Sequence, residues 1–221
     1  MHSYFPIRTL EAHALGIIPY GEAYEKQLEL HRRRVAGSIP DQLLLLQHPP
    51  VLTVSRRAKP ENVLMGREDL SRAGIEVHPT DRGGEVTLHN PGQLVGYLIC
   101  GLEPRKRDLH AFIRGIETAL QEVAGAFGVR AESRDGLTGV WIGERKLASI
   151  GIAVKRWVTL HGFALNVNND LSQFDLIHPC GLRGVHMTSL GAETGASVDW
   201  DELLQATRRA FTGEGDPRPG S

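Results

Sequence analysis

Prolines and glycines divide the apolar segments of this chain into runs that are too short for most helices. Four leucines at 43–46 are followed by His48-Pro49-Pro50, and a β-rich run resumes at 51–55. Two consecutive prolines cannot lie inside one helix, because proline lacks an N–H and its ring clashes with the preceding turn. The pattern therefore predicts two strands on either side of a proline turn. Further strands are predicted at 75–77, 85–89, 94–100, 139–142, 146–154 and 158–167.

Helical spacing of apolar residues is found in fewer segments. It extends over 23–35, over 109–127 behind the predicted N-cap Asp108, and from Asp199 to Phe211. A short helix is predicted at 67–73, ended by Gly74. Strands predominate and no unit of roughly 20–50 residues repeats, which indicates an α+β fold. We predict one domain over residues 1–212 and a disordered tail, rich in glycine and proline, over residues 213–221.

Composition narrows the classes of function. The 221 residues include 25 Lys+Arg and 26 Asp+Glu, so the net charge of −1 favours neither nucleic acid nor an anionic membrane as a partner. No run approaches the ~18 apolar residues that a membrane span needs, and no secretory leader is visible. Two cysteines cannot form a disulfide framework in a chain of this length. These features predict a cytoplasmic protein in a reducing compartment.

Glycines beside chemically active side chains mark the first candidate segment, residues 82–89. Gly83 and Gly84 expose backbone N–H groups and let a ligand approach, while Arg82 adds a cation and His89 a proton carrier. An ordinary glycine turn would have the same composition, so this segment alone is weak evidence. The phosphate-loop motif of nucleotide-binding proteins does not occur in the chain.

The second candidate segment, residues 146–151, begins with a lysine. Lys146 leads an apolar strand, and a buried ammonium needs a partner or an anionic ligand. The alternative is a lysine at the solvent-exposed end of the strand, with its ammonium in water. Strict alternation puts Lys146 on the face of Ala148, and Ser149 and Gly151 on the opposite face. Both faces serve one site only if a bulge intervenes or if backbone groups contribute.

The third segment, residues 161–166, again joins a polar side chain to a glycine. His161 precedes Gly162 in a strand-like run. A core histidine explains this pattern as well as a functional one does.

The fourth segment contains one of the two cysteines. Cys180 lies between a proline and a glycine, on a turn that can present a thiol to a substrate, whereas Cys100 ends an apolar strand and is predicted to be a core residue. His178, Cys180 and His186 also suggest a metal site. Paired zinc-ligand spacings are absent, however, so we expect no metal.

Taken in order, the four segments resemble the lipoyl(octanoyl) transferases, a family of octanoyl-[acyl-carrier-protein]:protein N-octanoyltransferases. The family motifs R-G-G-x-x-T-x-H-G-P-G-Q, K-x-A-S-I-G, H-G-x-A-L-N and P-C-G correspond to residues 82–93, 146–151, 161–166 and 179–181. One motif alone would mean little, but four in this order are specific. The match extends from about Leu43 to Leu190.

The resemblance implies an α+β fold of mixed β-sheets flanked by helices, as in biotin and lipoate protein ligases. It implies an acyltransferase with a cysteine/lysine dyad, in which Cys180 accepts the octanoyl group from octanoyl-acyl carrier protein as a thioester and Lys146 lowers the pKa of that thiol. The group then passes to a lysine of a lipoyl domain, in a 2-oxoacid dehydrogenase complex or the glycine cleavage H protein. This is the first step of protein lipoylation in lipoate biosynthesis.

The same resemblance implies the residues around the acyl group. No cofactor is expected, because exchange between a thioester and a thiol is nearly balanced in free energy. Lys146, His89 and His161 are candidates for the base that deprotonates the acceptor amine. The implied substrate-binding residues are Arg82, Gly83, Gly84, Glu85, Val86, Thr87, Leu88, His89, Ser149, Ile150, Gly151, Gly162, Phe163 and Ala164, with His161 as a candidate proton carrier.

One departure and two other readings accompany the resemblance. Asn90 replaces the glycine that follows the histidine of the first motif; asparagine tolerates a positive φ, but it would narrow a pocket in which the glycine makes room. An ATP-dependent lipoate or biotin protein ligase has the same fold and needs no nucleophilic cysteine. A non-catalytic module that binds a metal or an acyl carrier is the third reading.

Overall fold

The computed structural model describes residues 5, 7, 9–103, 107–177 and 185–213. Cys180 and its neighbours therefore lie outside the described residues, as does the predicted tail apart from Gly213. The described chain contains ten strands and five α-helices, and the predicted α+β class is confirmed.

A seven-stranded mixed sheet forms the centre of the molecule. Its strand order is β1-β2-β6-β10-β9-β8-β7, with β1 parallel to β2 and the remaining neighbours antiparallel. The strands are β1 (Glu11–Ile17), β2 (Gln42–Gln47), β6 (Gln93–Ile99), β7 (Glu132–Arg134), β8 (Leu137–Ile142), β9 (Arg145–Lys155) and β10 (Val158–Asn166).

A second, smaller sheet has the order β4-β3-β5. Its strands are β3 (Val51–Ser55), β4 (Glu76–Thr80) and β5 (Val86–His89). The strands β2 and β3, predicted on either side of the proline turn, are confirmed, but they belong to different sheets. The prolines therefore mark the point where the chain leaves one sheet for the other.

The helices pack against the two sheets. They are α1 (Tyr20–Val35), α2 (Arg67–Arg72), α3 (Leu109–Ala126), α4 (Leu190–Thr194) and α5 (Trp200–Thr212). Apolar side chains of α3 and α5 share one core with one face of the sheet, while α1 packs on the other face. The predicted N-cap is confirmed, since the carboxylate of Asp108 accepts a hydrogen bond from the N–H of Ala111. Asp199, at the predicted start of the last helix, caps α5 in the same way through the N–H of Glu202.

Three elements were absent from the sequence-based prediction. Strand β1 is an edge strand with a mostly exposed side-chain pattern, and β7 and α4 are only three and five residues long. Exposed or very short elements lack the apolar periodicity on which such predictions depend. In the described part of the chain, none of the helices has the length and apolarity needed to cross a membrane.

A glycine opposite an aromatic ring joins β6 to β10. Gly96 is paired with Phe163, and a Cβ atom at Gly96 would lie 2.2 Å from the Cζ atom of that ring. The ring also stacks on Phe211 of α5, with centroids 5.2 Å apart. The absence of a side chain at Gly96 is therefore what allows Phe163 to join the main core.

We expect Gly96→Ala to lower the free energy of unfolding by about 1–3 kcal/mol, because a closely packed core resists an added methyl group. Gly125→Ala is the matched control: this position lies in α3 with open space around it, so alanine should raise helix stability by about 0.5–1 kcal/mol. Urea denaturation of both variants measures the difference. Equal effects of the two substitutions would contradict the packing argument.

Candidate active site

One cavity lies between the two sheets and the first turns of α1. The space between its walls, counted together with the open solvent at its mouth, is about 420 Å³. The wall combines apolar and glycine positions of β9 and β10 with polar side chains of β5, β6 and α1. The lining residues are Tyr20, Arg82, Thr87, His89, Tyr97, Ser149, Ile150, Gly151, His161, Gly162, Phe163 and Ala164.

The structure brings many of the sequence-predicted site residues together and directs others elsewhere. Alternation along β5 points Thr87 and His89 at the cavity, while Val86 and Leu88 pack in the core of the small sheet. The carboxylate of Glu85 accepts hydrogen bonds from Asn62 and from the backbone N–H of Lys59, away from the cavity. The sequence-predicted residues that surround the cavity are Arg82, Thr87, His89, Ser149, Ile150, Gly151, Gly162, Phe163, Ala164 and the candidate proton carrier His161.

The loop with Gly83 and Gly84 crosses β9 at close range. The backbone N–H of Gly83 donates to the carbonyl of Ile152 at 3.1 Å, and a Cβ atom at Gly151 would lie 2.9 Å from the carbonyl oxygen of Gly83. Arg82 is held by Thr53, whose hydroxyl and carbonyl oxygens accept from the guanidinium at 3.0 and 3.2 Å. The glycines thus permit the loop to lie flat on the strand, and β3 positions the cation.

A β-bulge in β9 determines the face that Lys146 occupies. Trp141 pairs with Lys146, but Val140 pairs with Ala148, so Leu147 is an extra residue on β9. Leu147 and Ala148 both pack in the main core. The bulge therefore reverses the alternation and puts Lys146 on the same face as Ser149 and Gly151, which line the cavity.

The side chain of Lys146 is almost fully buried. It is 2 % exposed, and its Nζ lies 5.1 Å from the centroid of the Trp141 ring. Gly139 makes room for it, because a Cβ atom there would lie 2.8 Å from Cε of Lys146. The ammonium thus lies beside the Trp141 ring in a low-dielectric environment.

The backbone of Lys146 binds the segment that follows Cys180. Its N–H donates to the carbonyl of His186 at 2.8 Å, and its carbonyl accepts from the N–H of Thr188 at 2.9 Å. His186 follows Cys180 by six residues in the chain. The described residues His186 and Thr188 are therefore anchored on β9 through the backbone of Lys146.

A chain of buried amides extends from His89 to the same segment. Asn166 Nδ2 donates to the carbonyl of Thr188 at 3.0 Å, so its Oδ1 faces Gln93 and accepts from Gln93 Nε2 at 2.9 Å. Gln93 Oε1 then accepts from Nδ1 of His89 at 2.7 Å. The unambiguous carbonyl at one end thus defines the tautomer at the other: His89 carries its proton on Nδ1, and Nε2 has a free electron pair.

A second histidine has the same tautomer. His48 Nδ1 donates to the carbonyl of Ile18 at 2.7 Å, and Nε2 accepts from the hydroxyl of Tyr97 at 2.8 Å. Burial lowers the pKa of His89 to about 3 and that of His48 to about 4. Both imidazoles are therefore neutral hydrogen-bonding groups at pH 7.

An ion network lies where the loop before β5 meets the end of β9. Burial alone would raise the pKa of Asp81, but hydrogen bonds from Lys155 and His161 hold it well below its usual range. Nε2 of His161 lies 2.9 Å from Asp81 Oδ1, and Lys155 Nζ lies 2.5 Å from Oδ2. Burial lowers the pKa of His161 despite the nearby carboxylate.

Asn90 does not occupy a left-handed conformation and does not line the cavity. Its side chain donates to the carbonyl of Asp170 at 2.8 Å and accepts from Asn169 at 3.0 Å. Asn90 therefore neither uses a positive φ nor narrows the cavity, the two consequences considered for its replacement of the family's glycine. The residue instead fastens β5 to the turn after β10.

One protein-family model matches most of the chain. The model of the lipoyl protein ligase A/B catalytic domain matches residues 19–212. The chain belongs to this family. The matched region includes α1, every described strand except β1, the cavity and α5.

Among curated proteins, the similar members of the family are octanoyltransferases. The chain is 49 % identical to the octanoyltransferase of Solibacter usitatus over 197 residues, which cover 89 % of each chain. It is 50 % identical to that of Syntrophotalea carbinolica over 194 residues, which cover 88 % of this chain and 89 % of the relative.

Solved structures confirm the predicted ligase-like fold. A lipoate protein ligase from Thermoplasma acidophilum superposes with a TM-score of 0.68 at 16 % identity, covering 92 % of this chain and 83 % of the other. The biotin protein ligase from Aquifex aeolicus gives 0.57 at 12 % identity, covering 92 % of this chain and 69 % of the other. At these identities the likeness concerns the fold alone.

Three residues at the cavity of this family member were not predicted as site residues. Tyr20 and Tyr97 line it, and Asp81 binds His161. Tyr20 is the first residue of α1, and Tyr97 lies in an apolar strand, so neither stands beside a motif. Only for Asp81, directly before Arg82, was there a signal: a carboxylate adjoining the first motif.

The neutral state of His89 and His48 in the folded protein makes its stability depend on pH. Because their folded pKa values lie below 6.5, the unfolded chain binds protons first, and stability is lost as pH falls from about 6.5 towards 4. Each histidine should contribute up to about 1.4 kcal/mol per pH unit to this loss. Urea denaturation between pH 7 and 5 measures the slope.

The variant His89→Gln should have a smaller slope than the wild type, because glutamine does not titrate. His13→Gln, at a half-exposed histidine of β1, is the control and should keep the wild-type slope. A His89→Gln slope equal to that of the wild type would refute the assignment.

Proposed function

We propose that this chain is an octanoyltransferase that moves an octanoyl group from octanoyl-acyl carrier protein, through a thioester on Cys180, to a lysine of a lipoyl domain. The observation that carries the proposal is the burial of Lys146 on the cavity face of β9, where its backbone binds the segment following Cys180. The similarity to octanoyltransferases over most of the chain supports the donor and acceptor classes.

The role of Lys146 is to favour the thiolate of Cys180. A free thiol is mostly protonated at pH 7, and a neighbouring cation lowers its pKa. The effect is large where water is excluded, because the ammonium then acts at low effective dielectric. Lys146 is 2 % exposed, so its charge is poorly screened.

In the first step, the thiolate attacks the carbonyl carbon of the donor thioester. A new C–S bond forms, the C–S bond to the carrier breaks, and the departing carrier thiolate takes a proton from the Lys146 ammonium, which leaves Lys146 as a neutral amine for the second step. A thioester is exchanged for a thioester, so no ATP is needed. Reducing conditions in the expected cytoplasmic compartment would keep the Cys180 thiol free.

In the second step, the lysine amine of the lipoyl domain attacks the Cys180 thioester. A C–N bond forms, the C–S bond breaks, and the amine loses its proton. Of the three candidate bases, His161 lies opposite Ile152, about 20 Å along β9 from Lys146. Burial lowers the pKa of His89 to about 3, which makes it a weak base. We therefore assign the proton acceptance to Lys146.

The acyl chain occupies the cavity between the sheets. Gly151, Gly162 and Ala164 provide a wall with almost no side chains, which leaves room for methylene groups. Phe163 and Ile150 border the same space. Burial of the chain there gives about 0.8 kcal/mol per methylene group.

Incubation with octanoyl-acyl carrier protein, without ATP, should give an octanoyl adduct on Cys180 in intact-mass and peptide analysis. Cys180→Ser should lose transfer to a lipoyl domain by at least ~10³-fold, whereas Cys100→Ser at the buried second cysteine should keep it. Full activity of Cys180→Ser, or a strict need for ATP and free octanoate, would reject the proposal in favour of a ligase.

Lys146→Met should raise the pH midpoint for alkylation of Cys180 by roughly one unit or more, because methionine keeps the volume and removes the charge. The pH profile of iodoacetamide labelling at Cys180, read by mass spectrometry, measures the shift. Lys26→Met, at an exposed position of α1, is the matched control. An unchanged profile in Lys146→Met would contradict the role of the lysine.

A further inference from the structure

Glu117 is a carboxylate buried in the apolar face of α3. It is 6 % exposed, and Ile116 and Leu120 beside it are fully buried in the main core. In the described part of the chain, its side chain makes one hydrogen bond, in which Oε1 accepts from the backbone N–H of Gly139 at 2.9 Å. A single neutral donor does not offset the desolvation of a charge, so a carboxylate at this position requires an opposite charge nearby.

The Lys146 ammonium lies on the other side of Gly139. A Cβ atom at Gly139 would lie 2.8 Å from Cε and 3.5 Å from Nζ of the lysine. Glu117 Oε1 and Lys146 Nζ are therefore no more than about 9 Å apart, given the 2.9 Å hydrogen bond and standard backbone dimensions. Both side chains are almost fully buried, so water screens their attraction only weakly.

Gly139, which separates the two charges, has a conformation that glycine adopts far more readily than other residues. Its φ is +127°, and it lies in β8 beside register shifts in the ladders with β7 and β9. A Cβ atom there would also lie 2.5 Å from the carbonyl oxygen of Ala148. The hydrogen bond to Glu117 therefore fixes an irregular point of β8, and with it the surface on which the lysine stem lies.

The other charged and titratable groups on the elements around Lys146 are exposed or have partners of their own. Arg145 and Glu193 form an ion pair at 2.9 Å, and Arg134 lies over the Trp141 ring at 5.5 Å from its centroid. Those with exposed side chains are Glu132, Asp135, Glu144 and His186. Among the described residues of α3, α4 and β7 to β9, Glu117 is thus the buried carboxylate.

We propose that Glu117 is a positioning residue for Lys146, which balances the charge of the buried ammonium across Gly139 and holds the strand beneath the lysine stem. This inference rests on the proposed transfer and names the group that maintains the lysine as the acid of its first step. A nearby carboxylate favours the ammonium over the neutral amine, whereas burial alone favours the amine.

The first test is a double-mutant cycle on stability, which needs no substrate. Lys146→Met leaves the buried carboxylate without the ammonium, and Glu117→Gln removes the negative charge but keeps an acceptor for the Gly139 N–H. The double variant lacks both charges, so its folding equilibrium constant from urea denaturation should exceed the additive expectation by roughly 10-fold or more. Glu122→Gln, at an exposed position of α3, is the matched control and should be additive with Lys146→Met.

Additive effects of Glu117→Gln and Lys146→Met would overturn the proposal. If Glu117→Gln alone does not fold, a folded double variant supports the pairing just as directly. A double variant that does not fold either would show a structural role for Glu117 that is independent of the lysine, and would also overturn the proposal.

The second test is the pH profile of kcat/KM for the octanoyl donor, which reports the first step alone. That step needs the ammonium form of Lys146, so the alkaline limb of the profile in Glu117→Gln should move to lower pH by roughly one unit. Glu117→Asp keeps the charge and should keep the limb near that of the wild type, as should the control Glu122→Gln. A merely structural defect would lower kcat/KM at every pH without moving the limb.

The outcomes separate this role from the proposed function. A wild type that forms no octanoyl adduct on Cys180 rejects the transfer, and the unfolding cycle still decides whether the two charges are coupled. An enzyme that transfers octanoyl but whose alkaline limb is the same in Glu117→Gln overturns the role of Glu117 alone.

Discussion

The extra residue in β9 decides the chemistry that this fold can support. Without Leu147 opposite the Val140–Trp141 step, alternation would direct Lys146 into the main apolar core. A charged ammonium there, among leucine and phenylalanine side chains, would cost several kcal/mol or be neutral. The bulge instead places the lysine on the face that carries the cavity, against Trp141 and in the space left by Gly139.

Buried polar groups then join the cavity to the segment beyond Cys180. The amides of Gln93 and Asn166 connect His89 with the carbonyl of Thr188, whose own N–H binds the backbone of Lys146. Each amide has a defined orientation, because the last acceptor is a backbone carbonyl. Networks that are fully satisfied in this way specify a single arrangement, whereas a missing member leaves a costly unpaired group. This explains why the first and third motifs contain a glutamine and an asparagine that do not line the cavity.

Local patterns predicted the elements well and their partners poorly. The cap at Asp108, the helix that starts at Asp199, and the strand segments at 43–46 and 51–55 follow from propensity and proline geometry. That β2 and β3 enter different sheets does not follow, because strand pairing depends on contacts distant in sequence. Tyr20 and Tyr97 were not predicted as site residues because they also reach the cavity, from α1 and β6, through contacts distant in sequence and without any motif around them.

By itself, the sequence determined the α+β class, the four motifs and the family resemblance, since these depend on residue types and their order along the chain. It also limited Lys146 to two faces and named a bulge as the condition for joining them. Only the tertiary structure decided which face the lysine takes, where Asn90 points and which side chains surround the cavity. Those outcomes depend on strand register and on packing between distant segments, and one residue of register moves a side chain to the opposite face.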